Sequence, residues 1–162
     1  MATRPTTRSY AGRQVDLELM SHVEDMLPSQ KVDPDVHSLP RIVAGIEKAV
    51  QRHAKLFLTR MGTMRMEPGR GGRVLSEIRA GRVSDLGVLT ALCGAANAEA
   101  LDLGRRDDAD ESFGGIPDDE RLSMVSVSDV SLDRSKGRVH VRLEYSSVAG
   151  DSYEFVIPVP TT

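Results

Sequence analysis

The period of the hydrophobic pattern changes once along this chain, and this change limits the possible folds more than any single motif does. Up to about residue 103, apolar residues recur every three to four positions, which is typical of amphipathic helices. After about residue 122 they alternate with polar residues, which is typical of strands with one buried face. The order predicts an α+β fold, with N-terminal helices packed on a C-terminal three-stranded antiparallel meander.

Four helices are predicted before this change. Pro40 suits the first turn of a helix, and an apolar stripe with the spacing of one helix face runs from Leu39 to Phe57. Ser84 is a good N-cap for a second long helix that ends near Leu103. Shorter patterns predict helices over residues 15–27 and 73–80.

Strands are predicted in the last third of the chain. The first covers residues 122–132, with a bulge near Ser128. In the second, polar residues alternate with an apolar set that we expect in the core: Val139, Val141, Leu143 and Tyr145. We expect the acidic residues 104–120, which precede the strands, to form a solvated loop.

The third strand is predicted to lie at an edge of the sheet. Tyr153, Phe155 and Ile157 share one of its faces. Pro158 and Pro160 are expected to end it, because proline within a sheet is confined to edge strands and strand ends. An edge strand can pair with a strand of another protein.

The chain is long enough for one domain with an N-terminal arm. Its 162 residues divide into a basic arm with a short helix, residues 1–37, and an α+β domain, residues 38–162. A lone cysteine, Cys93, cannot form an internal disulfide and is expected on a buried helix face. The N-terminus lacks the hydrophobic region of a signal peptide, so we expect the protein to be made and kept in the cytoplasm.

Composition excludes several classes of partner. The net charge of −3 gives no overall attraction to nucleic acid, and we expect none to bind. The chain has no Trp, three Tyr and three Phe, too few aromatic planes for a base-stacking surface. Unbroken apolar stretches fall far short of the roughly 20 residues that cross a bilayer, so no membrane contact is expected.

No recognisable reaction centre occurs in the sequence. A nucleophile elbow, zinc-ligand spacing and a phosphate loop are all missing, so we predict no catalytic, metal-binding or cofactor-binding residues. His53 lies on an apolar helix face and is expected to be a hydrogen-bonded core residue. Glu67 paired with Asp118, Asp119 or Glu120 would be an ordinary pair of solvated carboxylates, which any chain of this charge supplies.

Arginines concentrate in one glycine-rich segment. Residues 60–73, here called the arginine loop, contain Arg60, Arg65, Arg70 and Arg73. Because guanidinium groups bind carboxylates and phosphates with two parallel hydrogen bonds, the arginine loop is a candidate partner surface.

The order of these parts resembles the sheath-initiator, or baseplate wedge, family of contractile phage tails, which is related to a type VI secretion baseplate component. The family has a helix that ends in leucines, followed by Thr-Arg, one residue and Gly; Leu58, Thr59, Arg60 and Gly62 match this motif. Glu120-Arg121 stands where the family has Glu-Pro-Arg, before the first strand. The resemblance covers about residues 40–160.

The resemblance implies a structural protein that is not an enzyme. It implies a sixfold arrangement around the tail tube, contact with tube and wedge proteins, and a sheet that accepts strands from the first ring of sheath subunits. By this reading the protein is located in the tail baseplate of a virion that assembles in the host cytoplasm. Arg60, Glu120 and Arg121 would contact the wedge, and Tyr153, Phe155 and Ile157 would form the strand that receives the sheath.

Two other functions are alternatives to this reading. A small adaptor or regulatory domain could bind an acidic peptide or nucleic acid through the arginine loop. A hydrolase of cell-wall sugars would require a pair of catalytic carboxylates, and the sequence supplies no supported dyad.

Overall fold

From residue 46 onward, helices and strands follow each other in the predicted order. In a computed structural model of the chain, the structure describes residues 16–17, 42–80, 83, 85–109, 115–133 and 138–160. The elements are β1 (Asp16–Leu17), β2 (Ile42–Val43), α1 (Ile46–Leu58), α2 (Val74–Arg79), α3 (Leu86–Ala109), a 3₁₀ turn (Asp118–Glu120), β3 (Leu122–Asp133), β4 (Arg138–Ser147) and β5 (Ser152–Pro160). The last three form an antiparallel sheet in the order β3-β4-β5, so the α+β prediction is confirmed.

The helices cover one face of this sheet. α3 packs on β3, and α1 lies against α3 and β5. The strict alternation in β4 places four side chains in the core at almost zero exposure: Val139, Val141, Leu143 and Tyr145. Since each apolar side chain of this size contributes about 1.5–3 kcal/mol when buried, β4 is a major source of stability.

α1 begins at Ile46, six residues after the predicted start at Pro40. Ile42 and Val43 are extended and pair with Leu17 and Asp16, a pairing that suits β-branched residues. Gly45, with φ +64°, then turns the chain into the helix. The same pairing contradicts a helix at the start of residues 15–27; the rest of that prediction, and Pro40, lie outside the described residues.

α3 is longer than predicted. Asp85 caps it, because its Oδ1 accepts a hydrogen bond from the Val88 N–H at 2.9 Å; Ser84 lies outside the described residues. The helix continues past Leu103 to Ala109, where a solvated loop was predicted. Tertiary ion pairs explain the extension, since Asp107 and Asp108 on its last turns bind arginines of other segments.

β5 ends at Pro160, one of the two prolines that were expected to end it. Pro158 and Pro160 lie within the strand, opposite His140 and Arg138. As predicted, β5 is an edge strand, and β3 has a register irregularity between Val127 and Asp129.

Candidate functional site

Backbone hydrogen bonds close the arginine loop at its base. The Gly72 N–H donates to the Thr59 carbonyl oxygen at 2.8 Å, and the Met61 N–H donates to the Gly72 carbonyl oxygen at 3.2 Å. Gly71 has φ +107°, and a Cβ there would lie 2.4 Å from the Thr59 oxygen. Only glycine allows the backbone at position 71 to lie this close to the Thr59 carbonyl group. Closure of the loop therefore depends on the Gly71-Gly72 pair as well as on the segment that begins at Thr59.

An ion-pair cluster fastens one side of the arginine loop to α3. Both terminal nitrogens of Arg70 donate to Asp107, and Nη1 also donates to Glu67 at 2.9 Å. These hydrogen bonds, that of Asp107 above all, raise the pKa of Arg70 above its ordinary value. Arg70 is therefore committed to an internal contact and is not available to a partner in this arrangement.

The outer part of the arginine loop is exposed. Met66 is 93% exposed and Met64 is 44% exposed, with Arg65 exposed between them. Arg60 and Arg73, at the two ends of the loop, are exposed as well. The surface offered to a partner is therefore a mixture of thioether and guanidinium groups on a closed loop.

Glu120 is an internal residue, which contradicts its predicted role as a wedge contact. It is 4% exposed, and its Oε2 accepts a hydrogen bond from Lys48 Nζ at 2.8 Å. Its Oε1 lies 3.5 Å from the Gly45 N–H at the start of α1. The negative charge of the carboxylate is balanced by the Lys48 ammonium group and by the positive end of the α1 dipole. The residue therefore joins the segment before β3 to the start of α1.

Arg121 differs from its neighbour because its side chain is half exposed. Its Nη1 lies 3.3 Å from Asp118 Oδ1, and its carbonyl oxygen accepts a hydrogen bond from the Val148 N–H. Glu120-Arg121 and Arg60 are not brought together. Glu120 contacts the first turn of α1 whereas Arg60 follows its last, and thirteen helical residues span about 20 Å.

Two of the three predicted strand contacts on β5 point into the core. Phe155 is 6% exposed and Ile157 is fully buried, while Tyr153 is half-buried. Their side chains therefore stabilise the domain, and a strand added to β5 would bind its backbone rather than the side chains of Phe155 and Ile157. What β5 offers a partner is its outer backbone edge.

Buried polar groups line the interface of α1, α3 and β4. The Tyr145 hydroxyl lies 3.3 Å from His53 Nδ1, and Asn97 Nδ2 donates to the Val125 carbonyl oxygen at 2.9 Å. Burial lowers the pKa of His53 to about 4, against a smaller opposing effect of Asn97. His53 is thus a hydrogen-bonded core histidine, as predicted.

Cys93 is buried in α3, as its position predicted, and burial raises the pKa of its thiol to about 11. Among the described residues, no group of three or more His, Cys, Asp or Glu side chains is arranged to hold a metal ion.

By length and composition alone, α3 could cross a membrane. In this fold its inner face packs on α1 and β3 through Leu89, Cys93, Ala96, Asn97 and Ala100.

Comparison with known proteins adds no assignment. No protein-family model matches the chain, and no curated protein matches it.

Proposed function

We propose that this chain is a structural baseplate protein of a contractile phage tail, which attaches to the wedge and tube and initiates sheath assembly. The observation that carries the proposal is the edge strand β5, because no described residue pairs with its outer side. Strand addition there would join a sheath subunit to the baseplate through main-chain hydrogen bonds.

The arrangement before the sheet supports the same reading. The segment that resembles the family motif, from Leu58 to Gly62, forms the closed base of the arginine loop rather than an unstructured connection. Its exposed arginine, Arg60, and Arg121 at the start of β3 are accessible for wedge contacts. In this proposal Glu120 binds α1 inside the domain and so holds the backbone of the next residue, Arg121, in place.

The adaptor alternative has less support. Binding of an acidic peptide or nucleic acid would use the arginines of residues 60–73, and Arg70 is held by Asp107 and Glu67. The remaining exposed arginines are separated by methionines and glycines, with no aromatic side chain in the loop to stack on a base.

Removing β5 would not test the proposal, because Phe155, Ile157 and Val159 belong to the core. Val156→Pro is more selective: the residue is half-buried, and prolines already occupy positions 158 and 160 of the same strand. We expect affinity-purified wild-type protein from cells producing the parent particle to retain sheath and wedge subunits. The variant should retain the wedge subunits and lose the sheath subunit. Equal recovery of the sheath subunit with both proteins would contradict the proposal.

A further inference from the structure

The hydrogen-bonding pattern of β5 can be followed from its turn. The Ser147 N–H donates to the Asp151 carbonyl oxygen at 2.9 Å, so these opposite residues form a hydrogen-bonded pair. Such pairs alternate with non-hydrogen-bonded pairs along an antiparallel ladder, and β4 and β5 stay in register throughout. The backbone groups of residues 152, 154, 156, 158 and 160 therefore point away from β4, toward the outer edge.

Prolines occupy two of these outward positions. Ser152, Glu154 and Val156 present N–H donors to an incoming strand, whereas Pro158 and Pro160 have none. The inner ladder loses nothing, which is why β5 can continue through both prolines. A partner strand can exchange hydrogen bonds in both directions only over residues 152–156, and the prolines block its extension toward the C-terminus.

The charges on the solvent-exposed face of residues 152–156 indicate which side chain a partner strand should place opposite Glu154. Glu154 lies directly opposite Glu144, in a non-hydrogen-bonded pair whose Cα atoms are about 4.5 Å apart. Arg142 binds Glu154 and leaves one carboxylate in excess at this position of the sheet. A basic residue placed opposite Glu154 on the far side would complete the charge pairing.

The other face of the same segment is apolar. Phe155 is buried and Tyr153 is half-buried on the helix-covered side. Residues of a partner strand that stand beside them would project toward that side. Apolar residues in these positions would extend the core past the edge of the sheet.

We infer that β5 accepts a short extended segment with a lysine or arginine opposite Glu154 and an apolar residue on either side, and that Pro158 and Pro160 set where the pairing ends. This inference rests on the proposed function, since the segment is assigned to the sheath subunit. It specifies the length, register and side-chain pattern of the accepted strand.

Two capped peptides test the pattern without a sheath subunit. Acetyl-Thr-Val-Lys-Val-Thr-amide carries the inferred pattern, and acetyl-Thr-Val-Glu-Val-Thr-amide reverses its charge. In NMR titrations of the full chain, the lysine peptide should shift the amide signals of Ser152, Glu154 and Val156 and bind about two- to fivefold more tightly than the glutamate peptide. Glu154→Gln should remove this preference, and the matched variant Glu99→Gln, on the exposed side of α3, should retain it. Shifts elsewhere, or equal binding of both peptides, would overturn the inference.

The two prolines are tested by restoring their amides. The double variant Pro158→Val, Pro160→Val should expose a longer edge and self-associate, with about a twofold rise in mass by light scattering. Pro68→Val, in the exposed part of the arginine loop, should leave the mass at the wild-type value. An unchanged mass for the double variant would show that the prolines do not limit pairing. Selective peptide binding by a protein that recruits no sheath would contradict the proposed function and leave the edge inference intact.

Discussion

Glu120 and Lys48 form an ion pair that is almost fully enclosed on the carboxylate side. Side-chain exposure is 5% for Glu120 and 19% for Lys48. Removing one partner of such a pair leaves the other charge poorly solvated, a larger effect than loss of an exposed pair.

We therefore predict that Glu120→Ala lowers the free energy of unfolding by about 2 kcal/mol. Asp118→Ala, which removes an exposed carboxylate two residues earlier, should change it by less than about 0.5 kcal/mol. Urea denaturation followed by circular dichroism measures both. Equal small effects would mean that Lys48 is solvated without its partner.

His53 gives the fold a dependence on pH. Burial lowers its pKa from 6.5 to about 4, so the unfolded chain binds this proton more tightly than the folded protein does. The stabilisation from neutral His53 is fully present above pH 6.5 and is lost as the pH falls toward 4. At about 1.4 kcal/mol per pKa unit, it amounts to roughly 3 kcal/mol.

The corresponding prediction concerns His53→Gln. Its unfolding free energy should fall less than that of the wild type between pH 7 and pH 4.5, although it starts from a lower value. Urea titrations at several pH values give the two curves. Parallel curves would show that His53 takes up no proton on unfolding in this range.

The environment of a single residue could be predicted from the sequence where it is set by neighbours on the same helix, and could not where it is set by residues distant in sequence. The burial of Cys93 and His53 could be predicted, because each lies on an apolar helical stripe. The burial of Glu120 could not, since Lys48 and Gly45 are more than seventy positions away in sequence. The two-residue spacing of Pro158 and Pro160 could have predicted which β5 backbone groups point outward, because proline has no N–H to donate to β4.

At the scale of elements, the arginine loop depends on one glycine. A side chain at Gly71 would require a positive φ and would collide with the Thr59 carbonyl group, whereas a Cβ at Gly69 meets nothing within 4 Å. Both changes add the same methyl group to the same loop.

We predict that Gly71→Ala lowers the free energy of unfolding by about 1–3 kcal/mol and that Gly69→Ala changes it by less than about 1 kcal/mol. Hydrogen exchange at the Met61 and Gly72 amides should accelerate in the first variant alone. Matching exchange rates in the two variants would contradict the tight closure at the loop base.

Element types followed from sequence more closely than element ends did. The helical stripe and the alternation in β4 reflect burial of one face, which the order of residues records directly. The ends of α1, α3 and β5 depend on tertiary pairing: Ile42 with Leu17, Asp107 with Arg70, and an outer edge that tolerates proline.

At the scale of the whole molecule, the two exposed features belong to different elements. The arginine loop follows the end of α1 and is held against α3, and β5 lies at the edge of the sheet. One domain could thus contact a wedge and a sheath subunit through different elements. In the proposed function this arrangement lets the protein join two parts of a baseplate.

The claim that β5 starts the sheath is tested most directly by deleting the gene and restoring the protein or a variant of it. Cells deleted for the gene would be supplied with wild-type protein or with Val156→Pro, and their particles counted by electron microscopy. We predict sheathed tails with the wild type, and baseplates and tubes without sheath for the variant, provided that the variant is present in the baseplates. Normal sheaths with Val156→Pro, or without the protein, would contradict initiation of the sheath by strand addition to β5.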